Sequence, residues 1–204
     1  LGLLRRTGLE RVEAPTGKPL RPRDWSEVST VAISYGDGLS SAPVHLAAGY
    51  ASLLNGGTKV GPTLLRQGHV EPGPRIVSEA VSARSRDMLR QVVARGTASF
   101  GEVPGYEVGG KTGTADKPRT AGGGYYEDKV ISTFATVFPA NDPQYVLIVT
   151  LDEPSENSGD EPRRTAGWTA VPVAAEMIRR TAPLLGLRPQ VDTPQQVGVT
   201  LTSN

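Results

Sequence analysis

An α/β fold is predicted, in which an antiparallel sheet of three strands is covered by helices. Three observations predict it. Apolar residues recur at helical spacing in two stretches within the first hundred residues. Three segments rich in β-branched residues follow between 106 and 153. One last helical stretch starts near Ala170.

Residues 1–30 mix charge with Pro and Gly and are expected to be irregular. In "APVHLAAGYASLLNGG", Val44, Leu46, Ala47, Tyr50, Ala51 and Leu54 fit one helical face. Pro43 suits the first turn, where its missing N–H costs nothing, and Asn55-Gly56-Gly57 stops the helix. A second helix is expected from about Ser82 to Ala94. Ser82 would cap it, Met88, Leu89, Val92 and Val93 would form its buried stripe, and Gly96 would end it. The strand candidates are "YEVGGKTGTA", "VISTFATVFPA" and "YVLIVTLDE". The first linker, "DKPRTAGGGYYEDK", reads as a long glycine-rich loop and the second, "NDPQ", as a tight turn. Short connections favour antiparallel hairpins. In the last helix Val173, Met177 and Ile178 are expected to face inward, and Pro183 to end or kink it. The chain divides into one domain over 1–189 and a polar tail over 190–204. Three strands leave two open edges, a liability that points to partner strands outside the chain.

Bulk properties exclude several classes. Lys and Arg number 22 against 21 Asp and Glu, so the chain lacks the net basic face that binding nucleic acid requires. With no cysteine there is neither a disulfide framework nor a thiolate metal site, and no cofactor is expected. No apolar run is long enough to span a membrane, and no signal peptide opens the chain. The first residue is Leu1, which leads to the expectation of a fragment or a processed product.

The sharpest local feature is Lys111-Thr112-Gly113-Thr114-Ala115 at a strand start. Alternation puts Thr112 and Thr114 on one side, Lys111 and Gly113 on the other. Two neighbouring hydroxyls can bind a carboxylate, an ammonium raises the local positive potential, and a glycine admits a second backbone. Such a strand can hold an anionic peptide end and offer a backbone N–H to an oxyanion. The competing reading is a threonine-rich edge strand with a solvated lysine.

The surrounding blocks resolve that choice. "ISYGDGLSSAPVHLAAGYASLLNGG", "MLRQVVARGTAS", "GYEVGGKTGTADK", "ISTFATVFPANDPQYVLIVTLDEP" and "AGWTAVPVAAEMI" follow one another over roughly 30–185. In this order they resemble the second half of class B penicillin-binding proteins, especially the cell-division type. The resemblance implies an antiparallel sheet of the penicillin-binding protein and serine β-lactamase kind, present here as a partial domain. That family's sheet has five strands, and the two not seen here would pair beyond "YVLIVTLDE". The family's nucleophile lies in Ser-x-x-Lys and its second motif is Ser-x-Asn, both upstream of the present segment. No serine here has a lysine three residues on. Ser155-Glu156-Asn157 fits Ser-x-Asn formally but follows the Lys-Thr-Gly strand, which makes it a chance match.

The implied chemistry is acyl transfer through a serine ester. The serine attacks the D-Ala-D-Ala end of a peptidoglycan stem peptide, D-Ala leaves, and an amine of a second stem resolves the ester; β-lactams mimic the donor. Lys111 would tune the serine network. Thr112 and Thr114 would bind the substrate carboxylate, the Thr114 N–H would be one oxyanion donor, and Gly113 would leave room beside the nucleophile helix. Implied partners are stem peptides, β-lactams, the N-terminal half of the same protein, a membrane glycosyltransferase and other division proteins. The implied location is the periplasmic face of the bacterial inner membrane, with a transmembrane anchor outside this sequence. A β-lactam-hydrolysing or β-lactam-sensing protein, and a non-catalytic binding fragment, are the alternatives.

Other residues carry weaker signals. Tyr125 and Tyr126 suit either a cleft wall or a surface loop. His45 and His69 are isolated from paired carboxylates and read as surface or core positions, not metal ligands. Asp152-Glu153 sits at a strand end, and Arg163-Arg164 and Arg179-Arg180 read as solvated. Gly36 and Gly38 read as turn formers with positive φ.

Overall fold

A computed structural model describes residues 9, 22, 24–36, 38–69 and 71–190. Most of the segment expected to be irregular, and the tail from 191 onward, fall outside the described residues. Helix α1, Glu27–Ser34, starts within the stretch expected to be irregular; the Ser26 hydroxyl caps it by accepting from the Ser29 N–H at 3.1 Å. Helix α2, Pro43–Leu54, begins on its proline and stops at Asn55 as expected. Helix α3, Glu79–Arg95, starts one turn earlier than expected. Ser78 is its cap, while Ser82 is buried inside it and its Oγ accepts from the Gly56 N–H at 3.1 Å. Met88 points to solvent, and of the expected stripe only Val93 is fully buried.

Strands β1, Gly109–Pro118, β2, Tyr125–Phe138, and β3, Tyr145–Asp152, form one antiparallel sheet in the order β1-β2-β3. The glycine-rich linker is shorter than expected, because both flanking strands extend into it and leave a turn at 119–124. Gly122, Gly123 and Gly124 all take positive φ there, as such a turn requires. Helix α4, Ala170–Thr181, covers the sheet. Val173 and Met177, expected inside, are 41% exposed; Val171, Ala174, Ala175 and Ile178 are the residues that face inward. Pro172 and Pro183 bracket a helix whose buried stripe is mostly alanine, which lets it lie close to the sheet.

Both faces of the sheet are packed. Phe134, Phe138 and Val149 join Val93, Val171, Ala174 and Ile178 in the main core. Val137 and Ala140 meet Leu54 on the opposite face, under α2. One glycine makes the β1–β2 pairing possible. A Cβ on Gly110 would lie 2.6 Å from the Phe134 ring and 2.7 Å from the Ala135 carbonyl oxygen. Among the described residues β3 has no strand beyond it, although Val146, Leu147, Ile148 and Val149 make it apolar on both faces.

At the far end of the sheet Glu153 takes φ +51° and ties the strands together. Lys117 of β1 donates to Glu153 at 2.8 Å and to Asp152 at 2.7 Å, and Lys129 of β2 pairs with Glu153 at 3.0 Å. The hydrogen bonds from Lys117 and then Lys129 hold the Glu153 carboxyl below the usual carboxylate range.

Two predictions follow from this packing. Gly110→Ala should destabilise the protein by about 1–3 kcal/mol through overpacking against Phe134, read as a lower urea midpoint. A depressed carboxyl pKa adds stability above the unfolded value of about 4 and loses it as pH falls through the folded value. Glu153→Gln should therefore lower Tm at neutral pH, with the gap to wild type closing on acidification below about pH 4. A gap that stays constant from pH 7 to pH 3 would remove the ion-pair explanation.

Candidate active site

The antiparallel register decides which β1 side chains meet α4. Thr112 lies opposite Phe134 and Thr114 opposite Ser132. Cross-strand partners share a face, so both threonines stand on the Phe134 side, toward the segment that leads into α4. Lys111 and Gly113 lie opposite Ala135 and Thr133, on the other face. Beside the two threonines opens a cleft of about 360 Å³, at the lower end of the range for small-molecule sites. Its walls are the end of α3 (Gly96, Thr97), the 3₁₀ turn Ser99–Gly101 through Ser99 and Phe100, and the segment Thr165–Trp168.

Hydrogen bonds draw these walls together. The Thr114 Oγ1 accepts from the Ala166 N–H at 3.0 Å, and the Ser132 hydroxyl donates to the Arg164 carbonyl at 2.7 Å. The paired residues of β1 and β2 thus pin 164–166 to the sheet. Because Thr114 accepts there, its own proton is left to donate to an anion. The Thr97 and Thr112 hydroxyls lie 2.9 Å apart, so one donates and the other keeps its proton for a ligand. Gly167 completes the closure: a Cβ on it would lie 2.7 Å from the Thr97 carbonyl oxygen, so only glycine allows this approach. Among the described residues β1 pairs on one side only, with β2, so its outer edge is available to an extended ligand.

The other residues singled out in the sequence fall as follows. Lys111 is exposed, and its Nζ donates to the Thr112 carbonyl at 2.8 Å. Among the described residues a Cβ on Gly113 would meet only the Thr133 carbonyl oxygen, at 3.9 Å. Tyr125 and Tyr126 start β2 at the far end of the hairpin and do not line the cleft; the Tyr126 ring lies 5.0 Å from the Lys129 ammonium. Ser155 donates to Asn157 within a surface hairpin, away from the cleft. His69 pairs with Glu71 at the surface, and both His45 ring nitrogens are out of solvent without a hydrogen-bond partner among the described residues. Arg179 and Arg180 pair with Glu176. Arg164 donates to the Asp128 carbonyl, and Arg163 stacks on Trp168, so neither is simply solvated.

Thr97, Phe100, Ala166 and Trp168 were missed. The Gly96-Thr97-Ala98 step stood out in the sequence, but a hydroxyl fifteen residues from Thr112 carries no local signal that the two will touch.

The chain matches the penicillin binding protein transpeptidase domain over residues 1–177. It is 36% identical over 198 residues to a probable peptidoglycan D,D-transpeptidase FtsI of Caulobacter vibrioides, covering 92% of this chain and 33% of that protein. With stage V sporulation protein D of Bacillus subtilis it shares 30% over 202 residues, 93% of this chain and 30% of that protein. The chain therefore spans about a third of the length of these relatives. Among solved structures, the apo transpeptidase domain of Burkholderia pseudomallei penicillin-binding protein 3 superposes with a TM-score of 0.78 at 30% identity, over 94% of this chain and 56% of that one. Penicillin-binding protein 3 of Mycobacterium tuberculosis, in complex with ampicillin, gives 0.75 at 30% identity, over 95% and 46%. This chain belongs to the penicillin binding protein transpeptidase domain family, in its class B branch.

Proposed function

We propose that this chain is the carboxylate-binding part of a serine D,D-transpeptidase that cross-links peptidoglycan stem peptides. The observation that carries this reading is the pair Thr112 and Thr114, side by side on one strand: Thr114 accepts from the Ala166 N–H and keeps its proton for an anion, and the Thr97–Thr112 pair keeps one proton between them. In this reading the donor stem lies along β1 with its terminal carboxylate at the two hydroxyls. A serine from a segment outside this sequence attacks the penultimate D-Ala carbonyl. The Thr114 N–H is one donor to the resulting oxyanion. Collapse expels D-Ala, whose nitrogen takes a proton, and leaves a serine ester. The amine of a second stem attacks that ester, loses its proton and regenerates the serine hydroxyl.

Lys111 acts electrostatically on the serine network, and Gly113 leaves its face free for the nucleophile helix. β-Lactams enter as donor mimics; the M. tuberculosis relative has been solved with aztreonam and with ampicillin. The lining residues are glycine, alanine, threonine, serine and aromatic, with no carboxylate or imidazole among them. Among the described residues that line the cleft there is thus no base for water attack on the ester. By family likeness the protein works at the periplasmic face of the inner membrane, with a membrane glycosyltransferase and other division proteins. No described helix is long and apolar enough to cross a membrane.

The serine assignment is tested with labelled penicillin on denaturing gels. The 204-residue chain alone should give no covalent band, and the protein carrying its upstream serine segment should give a stoichiometric one. A stable band from the chain alone would overturn the mapping. Thr112→Val, in the serine-bearing protein, should cut acylation efficiency by about one to two orders of magnitude, because one hydrogen bond to a charged group is worth about 1.5–3 kcal/mol. Thr97→Val should cost less, and should add little to Thr112→Val, since the two hydroxyls act as a unit. Unchanged acylation in Thr112→Val would take Thr112 out of the site.

A further inference from the structure

The cleft has a feature that the acyl-transfer scheme does not use. Phe100 and Trp168 line it together, with ring centroids 5.0 Å apart and planes tilted by 50°. Both remain partly open, at 54% and 39% exposure, although they belong to the two largest apolar side-chain types. The indole is held from the other direction. The Arg163 guanidinium carbon lies 3.9 Å from the Trp168 ring centroid. A Cβ built on Gly159 would lie 3.0 Å from the Arg163 Nη2, so the guanidinium passes directly over that glycine. The arginine itself is fixed by its backbone. Its N–H donates to the Glu156 carbonyl at 2.9 Å and its carbonyl accepts from the Glu156 N–H at 2.8 Å, closing the hairpin between β3 and α4. The Glu156 carboxylate lies 3.8 Å from the Arg163 Nη1, at the outer limit of an ion pair.

We infer that Arg163 is a positioning residue that holds Trp168, and with it Phe100, as an apolar wall for the part of the acyl ligand next to its carboxylate-bound end. This rests on the proposed acyl-transfer reading of the cleft. An exposed indole on a connecting segment has several rotamers of similar energy. A cation stacked on one face selects one of them, because the ring quadrupole attracts the charge and the planar guanidinium matches the ring. The remaining indole surface, next to Phe100, then faces the ligand. The hairpin thereby reads out into the cleft without touching substrate.

The test uses the transpeptidase with its serine-bearing portion, and two probes that share one bicyclic ring and carboxylate. Benzylpenicillin carries two methyl groups on the ring carbon beside the carboxylate, and its bisnor analogue carries only hydrogens there. Arg163→Met keeps the apolar stem and removes the cation; Arg163→Lys restores a cation. In Arg163→Met the dissociation constant before acylation should rise roughly three- to tenfold for benzylpenicillin, with the limiting acylation rate constant unchanged. The values for the bisnor analogue should stay within about twofold. Arg163→Lys should recover most of the loss. A second reading is independent of acylation. The chain has two tryptophans, so with Trp25 and every tryptophan of the serine-bearing portion replaced by Phe, Trp168 emits alone. Arg163→Met should shift its emission to the red and increase quenching by acrylamide, and Arg163→Lys should not. Equal losses for both probes, a fall confined to the acylation rate constant, or unchanged Trp168 emission would each overturn the positioning role. Absence of acylation in the wild-type protein overturns the proposed function instead, and the emission measurement then decides the positioning role by itself.

Discussion

The register between β1 and β2 is the constraint on which the rest of the molecule depends. Thr112 opposite Phe134 and Thr114 opposite Ser132 put two hydroxyls beside the start of α4. A slip of one residue would turn Lys111 and Gly113 toward α4 and send the threonines to the other face. The register is itself held by close packing. Phe134 is fully buried and lies where a side chain at Gly110 would stand, so large and small residues interlock across the pair. The buried apolar face of β2 makes any alternative pairing expose Phe134 or Phe138 to water, at a cost of about 1.5–3 kcal/mol each.

From that register the cleft follows by a short series of contacts. Thr114 and Ser132 together pin 164–166, and Gly167 can then approach the Thr97 carbonyl closely. Thr97 thereby comes within 2.9 Å of Thr112. The same contacts serve fold and chemistry at once. Thr114 anchors a segment through its lone pair while its proton remains available, which is why a hydroxyl suits this position and a methyl of the same shape does not.

The third strand has the composition of an interior one. β3 is apolar on both faces yet stands at an edge among the described residues, and α4 leaves Val173 and Met177 half open on its outer side. On α1, Val28 and Val31 are exposed, as is Tyr35 at its C-terminal cap, and none of the helix residues is buried. A strand with two apolar faces is the pattern of one flanked and covered on both sides. The chain's coverage of only about a third of its relatives' length agrees with that physical reading.

The sequence by itself determined the order of elements from α2 onward, the antiparallel neighbours and the sharing of one side of β1 by Thr112 and Thr114. These rest on short-range rules: alternation along a strand, proline at a helix start, glycine at its stop, and a connection too short for a crossover. Apart from helix α1, its misses were of two kinds. Ser82 looked like a cap and Met88, Val173 and Met177 looked buried, because helical spacing identifies an apolar stripe but not its exact centre or the neighbour that covers it. The long glycine-rich loop became strand because pairing with a partner strand outweighs weak local propensity. Only the tertiary structure decided that Thr97 meets Thr112, that Ala166 meets Thr114, and that Arg163 lies on Trp168. Thr97 and Thr112, and Thr114 and Ala166, are separated by fifteen and fifty-two residues, and hydrogen bonds of that span exist only once packing has brought their elements together.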